Sequence, residues 1–247
     1  MASYANQLIF VDSADFDGTS DYMTRGAGLT GAADSKTGIF SCWTRIDGGD
    51  GTIRRFFNAA NGVGGALKGF RVSLNATNNF IMTGLNAAGT VIFQQHSTTA
   101  YVAGATWRHL LASWSMTVTA HLYVTDVSDR TSLTFTDDTL DYTETEWAVG
   151  AVADGAEKWN GCLAELYFAP GQYLDFSVEA NRRKFISASG KPANMGFDGS
   201  VPTGIAPLAY QHLNKGNAVA DFAINRGTGG NFSITGTLDT GSSSPSD

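Results

Sequence analysis

Charge is what this sequence has least of. Asp, Glu, Lys and Arg make up only 16% of it, against about 25% in an average globular protein. The charge it has is mostly negative, with a net value of −7. A nucleic-acid binder presents a basic face. Here the longest region of one sign is acidic: Asp137, Asp138, Asp141, Glu144, Glu146, Asp154 and Glu157, with no Lys or Arg among them. That excludes nucleic acid and anionic lipid as expected partners, and the run reads most simply as a solvated edge and loop. Long apolar stretches are also missing. None approaches the roughly 20 residues that span a bilayer as a helix. The opening Met1-Ala-Ser-Tyr-Ala-Asn-Gln7 has neither the basic nor the apolar region of a signal peptide. A soluble protein made in a cytoplasm is the expectation.

Cysteine, histidine and glutamate are equally scarce. Cys42 and Cys162 stand in no CxxC motif and beside no histidine cluster, which argues against zinc. Both fall in apolar, strand-like runs and are expected as buried free thiols; a disulfide would need them on neighbouring strands. The histidines, at 96, 109, 121 and 212, have no metal-ligand spacing. There is no G-x-S-x-G elbow and no phosphate-binding loop. Gly26-Ala-Gly-Leu-Thr-Gly31 matches G-x-G-x-x-G. The chain then runs into a strand, leaving no room for the helix whose N-terminus would hold a pyrophosphate.

What is present is alternation. Phe70, Val72 and Leu74 fall on one face, and Arg71 and Ser73 on the other. The turn-forming cluster Asn75–Asn79 separates them from Phe80-Ile-Met82, which makes a hairpin. Asn86–Gly89 is the next turn, before Val91-Ile-Phe93. Leu110, Ala112 and Trp114 alternate again, then His121–Val124 follows. Strands joined by short turns, with 29 glycines in the chain, read as a sandwich or barrel. One helix is expected over residues 178–188, capped by Ser177 and ended by Gly190 and Pro192. Val178, Phe185 and Ile186 would form its buried stripe, and Arg182, Arg183 and Lys184 would lie toward its C-terminal half. Beyond it, residues 207–210, 221–224 and 232–234 read as strands.

Several segments taken in order resemble a concanavalin A-like, laminin G-like domain. They are Phe16-Asp-Gly-Thr-Ser-Asp-Tyr22, Gly38-Ile-Phe-Ser-Cys-Trp-Thr-Arg45, Trp107-Arg-His109 with Leu110-Leu-Ala-Ser-Trp114, His121-Leu-Tyr-Val124, Trp147-Ala-Val-Gly150, and Trp159-Asn-Gly161 leading into Leu163–Tyr167. The resemblance implies an all-β jelly-roll β-sandwich over residues 1–172. Residues 173–247 would then be a helix and a strand-containing extension packing back on the sandwich, with a flexible Gly/Ser tail over 240–247 unless a neighbouring copy orders it. Laminin G-like domains often open with a segment similar to Leu208–Leu213, Asp221 and Asn225. Here it comes last, so the C-terminal strands are expected beside Leu8-Ile-Phe10. Residues 179–185, 190–192, 199–204 and 225–232 also resemble the ends of bacteriophage and prophage proteins that carry this sandwich. That implies a multi-copy virion component, a head decoration or tail-associated protein, binding other capsid or tail subunits.

Glucanases share the fold, but their E-x-D-x-x-E motif is absent. The five glutamates, at 144, 146, 157, 165 and 179, include only Glu144 and Glu146 on one strand face, and retaining hydrolysis needs carboxyls facing across a cleft. The protein is therefore not expected to be an enzyme. A carbohydrate-binding module is the alternative to the virion role. Its aromatic platform is placed at Trp159 with Asp154 and Asn160 beside it, although large aromatics are more often buried. No cofactor is required. Calcium is the one metal considered, with Asp154 and Asn160, or Asp47 and Asp50, as oxygen ligands; the same residues beside glycine also simply make turns.

Overall fold

Alternating apolar residues can be buried only by a sheet, and the chain builds two. The computed structural model describes residues 10–60 and 67–247. In chain order the first strands are Ala14–Asp17 (β1), Tyr22–Arg25 (β2), Thr37–Ile46 (β3), Arg54–Ala60 (β4), Leu67–Leu74 (β5) and Phe80–Leu85 (β6). Then come Val91–His96 (β7), Arg108–Ser115 (β8), Thr119–Val124 (β9), Val127–Ser128 (β10), Thr131–Phe135 (β11) and Glu146–Val149 (β12). The long Asn160–Pro170 (β13) and the short Ala209–Gln211 (β14), Ser233–Thr235 (β15) and Asp239–Thr240 (β16) complete the set. One sheet runs β10-β9-β8-β3-β13-β1-β16, with β14 also on β13; the other runs β11-β7-β6-β5-β4-β12-β2-β15. The strand pairs are antiparallel, and the whole is a jelly-roll sandwich of the kind expected. The two hairpins around Asn75–Asn79 and Asn86–Gly89 form as read.

The sheets enclose an aromatic core. Phe70 stacks on Trp114 with centroids 4.8 Å apart and on Phe168 at 5.2 Å. The Trp114 indole N–H donates to the Tyr142 hydroxyl at 2.8 Å, so its one polar atom is satisfied. Gly38 makes this packing possible, because a Cβ there would lie 2.2 Å from the Trp114 ring. The first sheet is also covered on its outer face. There Ile39, Leu111, Tyr167 and Tyr210 pack against Phe176, Phe185 and Met195. This double burial explains why nine of the ten residues of β3 are buried, whereas a sheet covered on one face buries alternate residues.

The cover is the chain beyond Pro170. Its helix is shorter than the sequence suggested: only Glu179–Arg182 is α-helical, and the cap position is Val178 rather than Ser177. Ser177 donates instead to Asp175 Oδ1 at 2.6 Å. Phe185 and Ile186 are buried as expected, but Val178 is exposed. The basic residues have partners on the sandwich and in the extension. Arg182 and Arg183 both reach Asp126, at 2.6 and 2.7 Å, and Lys184 reaches the Pro202 carbonyl at 2.8 Å. The 221–224 run is not a strand. Val219–Ala223 forms a 3-10 turn, with Phe222 and Ala223 turned into the core.

From there the chain returns to its beginning. β15 adds to β2 and β16 adds to β1. Asn214 bridges Val11, and Asp12 N–H donates to Leu213 O at 2.8 Å. Phe10 O accepts from Lys215 N–H at 3.0 Å; Leu8 and Ile9 lie outside the described residues. The tail expected to be flexible over 240–247 is docked on its own chain. Arg45 Nη1 donates to the hydroxyls of Ser242 and Ser243, Trp107 Nε1 donates to Ser243 Oγ at 3.0 Å, and Ser13 Oγ donates to Ser243 O at 2.9 Å. Serine hydroxyls that suggest disorder in isolation here satisfy buried donors, and no neighbouring copy is needed to hold them.

Candidate functional site

The residues first considered for glycan or calcium binding are already occupied. Trp159 is fully buried, its ring edge-on to Phe56 at 5.1 Å with the Arg54 guanidinium 5.9 Å from its centroid. It is core, and no sugar can stack on it. It stands just before β13, with its backbone N–H tied to Gly150 O at 2.7 Å. Asp154 is exposed and accepts from Ala156 N–H at 3.0 Å, a local turn. The Asn160 side chain fills the space left by Gly18 and Gly48, where an added Cβ would come within 2.7 Å of it.

Asp47 gives both oxygens to Arg45 at 2.7 Å, and Asp50 accepts from Arg54 at 3.3 Å and from Ala103 N–H at 3.1 Å. Asp47 does lie in a group with Asp15 and Cys162. That set does not suit calcium, which takes six to eight oxygen ligands. Burial pushes the Cys162 thiol up to about 12, so it stays protonated. Both cysteines are buried and free. Glu144 and Glu146 diverge, with the first against Gly69 and the second against Gly26. Glu144 is buried, and desolvation together with Asp141 raises its carboxyl to about 7.

A different set of side chains converges where the C-terminal segment crosses the first sheet. Between Ala164 and Tyr167 the pairing of β13 with β3 slips, and Glu165 takes φ +50°. A bulge of this kind re-aims a side chain. The Glu165 carboxylate is buried yet fully partnered. Tyr210 Oη donates to its Oε2 at 2.8 Å, and His212 Nδ1 donates to its Oε1 in a short ion pair. Tyr210 and His212 are two apart, so an extended backbone puts them on one face. His212 Nε2 donates in turn to Asn214 Oδ1 at 2.8 Å. Burial alone would lower the His212 pKa; the Glu165 charge and the hydrogen bonds from Glu165 and Asn214 outweigh it and raise the pKa above the ordinary imidazole value. Burial and Glu165 hold the Tyr210 phenol well above its usual range.

Next to this network is an open pocket of about 310 Å³ lined by Asn194, Gly196, Phe197, Tyr210, His212, Asn214 and Arg226. The Asn225 side-chain oxygen accepts from Tyr210 N–H at 2.8 Å, while Arg226 N–H donates to Tyr210 O at 3.0 Å. The Arg226 guanidinium lies 5.3 Å from the centroid of Phe197. Phe197 is 82% exposed, although Met195, two residues earlier, is buried in the outer cluster. A second depression of about 250 Å³ flanks the same ring, lined by Asn194, Gly196, Phe197, Asp198, Ser200 and Val201. Phe197 is thus an aromatic ridge shared by a mostly polar hollow and a more apolar one. Ligand sites combine such an apolar surface with a few fixed polar groups.

Sequence reasoning missed this site. Glu165 read only as part of the closing strand, and Phe197 lay in a glycine-rich stretch without periodicity. The Tyr-x-His pair at 210 and 212 was the usable signal, two polar-tipped side chains two residues apart at the end of β14.

Comparison with known proteins agrees with the architecture. Residues 17–171 match the model of a laminin G-like family described as the concanavalin A-like lectin/glucanases superfamily. A Bacteroides ovatus protein, provisionally described as carbohydrate binding, superposes with a TM-score of 0.63 at 11% identity over 96% of this chain, which spans 61% of that protein. The heptameric SAP-like pentraxin of Limulus polyphemus superposes with a TM-score of 0.57 at 11% identity, covering 94% of each chain. No curated protein matches by sequence. At these identities the two structures speak for the fold alone. The family match, which takes in more than half of the sequence and the ordered segments from Asp17 to Gly171, shows that this chain belongs to the concanavalin A-like lectin/glucanases superfamily.

Proposed function

We propose that this protein is a non-enzymatic binding module that takes a carbohydrate at Phe197. The observation that carries the reading is the exposed Phe197 ring, lining both a polar hollow and a more apolar one. The flat C–H face of a sugar can stack on the ring. Asn194, Asn214 and Arg226 line the hollow beside it, where hydroxyls would meet them. The carbohydrate-binding description of the Bacteroides protein supports the same class of ligand. The carboxylates considered for hydrolysis face different glycines rather than one cleft, which supports a binding role over a catalytic one.

The test is a glycan array followed by titration calorimetry with the wild type and Phe197→Ala. Burying a phenylalanine fully is worth about 1.5–3 kcal/mol. A sugar covering one face should gain about half of that, so the variant should bind roughly five-fold more weakly and melt at an unchanged temperature. Equal affinity in the variant would refute the site, and a silent array would refute the ligand class.

A second reading is a bacteriophage virion surface protein, present in many copies and held by other capsid or tail subunits. Its support is the resemblance of residues 179–185, 190–192, 199–204 and 225–232 to the ends of phage proteins, in the part of the chain that also exposes Phe197, Val201 and Ile205. Stoichiometric, saturable binding to particles lacking the protein would favour it. The two readings are compatible if the module displays its sugar site on a particle.

A further inference from the structure

The outer face of the second sheet carries a feature that the Phe197 site does not use. Arg55 on β4 and Ser73 on β5 are register partners, and Arg71, two residues before Ser73, shares their face. Thr83 and Ile81 continue that face on β6, and Gln94 continues it on β7. With Ile53 and Asn75 these residues line a depression of about 150 Å³. Arg55 is buried and paired with Glu157. Arg71 is partly buried, and its guanidinium has no hydrogen-bond or ion-pair partner among the described residues. Burial and the neighbouring Arg55 charge, against the weaker pull of Glu157, push its pKa down to about 10. Two guanidiniums and one carboxylate leave the depression with one unmatched positive charge, in a protein whose net charge is −7.

Strand formation does not require that charge. A partly desolvated guanidinium without an acceptor is an unfavourable arrangement, and a carboxylate presenting two oxygens relieves it bidentately. The rest of the lining suits what would carry the carboxylate. Ser73, Thr83, Asn75 and Gln94 offer hydroxyl and amide groups, while Ile53 and Ile81 offer apolar walls. The space admits one sugar ring edge with its acid group and little more.

We infer that this depression is a second binding site, separate from Phe197, that takes an acidic sugar of the uronic acid class with its carboxylate on Arg71. The site shares no residue with the Phe197 pocket, so either can fail without the other. The test is calorimetric titration of the full chain with glucuronate, its neutral amide glucuronamide, and inorganic sulfate. Glucuronate should bind at least ten-fold more tightly than glucuronamide. Arg71→Gln should lose at least ten-fold for glucuronate, and Arg71→Lys, which keeps the charge but not the fork, several-fold. Phe197→Ala should leave glucuronate affinity at Arg71 unchanged. Thermal melts of both Arg71 variants guard against a folding defect; if Arg71→Gln is destabilised, Arg71→Lys carries the test. Equal affinity for acid and amide would overturn the inference, as would undiminished glucuronate binding in the Arg71 variants. Sulfate binding without glucuronate binding would overturn the sugar assignment, and glucuronate binding abolished by Phe197→Ala alone would move the ligand to the other pocket.

Discussion

Replacing Glu165 with glutamine tests the network behind the Phe197 pocket. The substitution keeps the shape of the side chain and removes its charge. In the wild type the carboxylate holds His212 protonated, with both ring nitrogens donating, to Glu165 and to Asn214. Because the folded pKa of His212 is raised, the pair's contribution is fully present below the unfolded value of about 6.5. It is lost as pH rises through the folded pKa. Breaking a buried pair by removing one partner costs about 3–5 kcal/mol. At pH 5.5 the variant should therefore melt lower by roughly 10 °C, using about 2–4 °C per kcal/mol for a chain of this size. Above the folded pKa His212 is neutral in both proteins, and what remains is the weakened hydrogen bonding around position 165, about 1–3 kcal/mol. The other buried histidines do not confuse the comparison. His109 is pushed down to about 3 by burial, and His121 is also lowered by burial; both titrate alike in the two proteins and cancel from the difference. Urea titrations at pH 5.5, 7 and 9 measure it directly. A stability gap that stays constant, or widens toward pH 9, would refute the account of a charged Glu165–His212 pair.

The remaining expectations concern Trp159 and the tail. Trp159→Ala should destabilise by about 3–5 kcal/mol through the cavity it leaves. Trp159→Phe should fold and bind sugars as the wild type does; selective loss of sugar binding in this variant would return the platform to Trp159. Deleting residues 241–247 removes the acceptors of Arg45 and Trp107 and the cover over Ser13. It should cost about 1–3 kcal/mol in urea unfolding with no change in mass by light scattering. A change in mass with unchanged stability would show that the tail serves a neighbouring copy.

Much of the sandwich was legible because its signals are local. The turns at Asn75–Asn79 and Asn86–Gly89 and the alternation of β5, β8 and β9 need nothing outside their own segments. The errors fall where distant residues decide the outcome. Trp159 looked like a strand-end aromatic, yet Phe56 and Arg54, a hundred residues earlier in the chain, close over it. Ser177 was a sound helix cap on local grounds, but Asp175 takes its hydroxyl, and the helix stops after one turn once Arg182 reaches Asp126. The serine tail has the composition of a disordered end. Only the position of Arg45 and Trp107, unreadable from sequence, gives its hydroxyls something to satisfy.

The face of the proposed Phe197 site was illegible for the same reason, and the cause is topological. Residues 17–171 carry the family's pattern, so attention to that pattern leads toward its loops and its tryptophans. The first sheet, however, needs a cover on its outer face, since Ile39, Leu111 and Tyr167 point away from the sandwich core. The chain after Pro170 supplies it. Met195 is drawn inward to complete the cover, and the tight turn at Gly196, with φ +87°, leaves Phe197 outside. The bulge at Glu165 belongs to the sandwich, but its partners Tyr210 and His212 come from the returning strand. Neither half holds the site alone. A sandwich of this superfamily with a different C-terminal segment would keep the core and lose the pocket. Specificity at the proposed Phe197 pocket should therefore follow the sequence from Asn194 to Arg226 rather than the motifs that identify the fold.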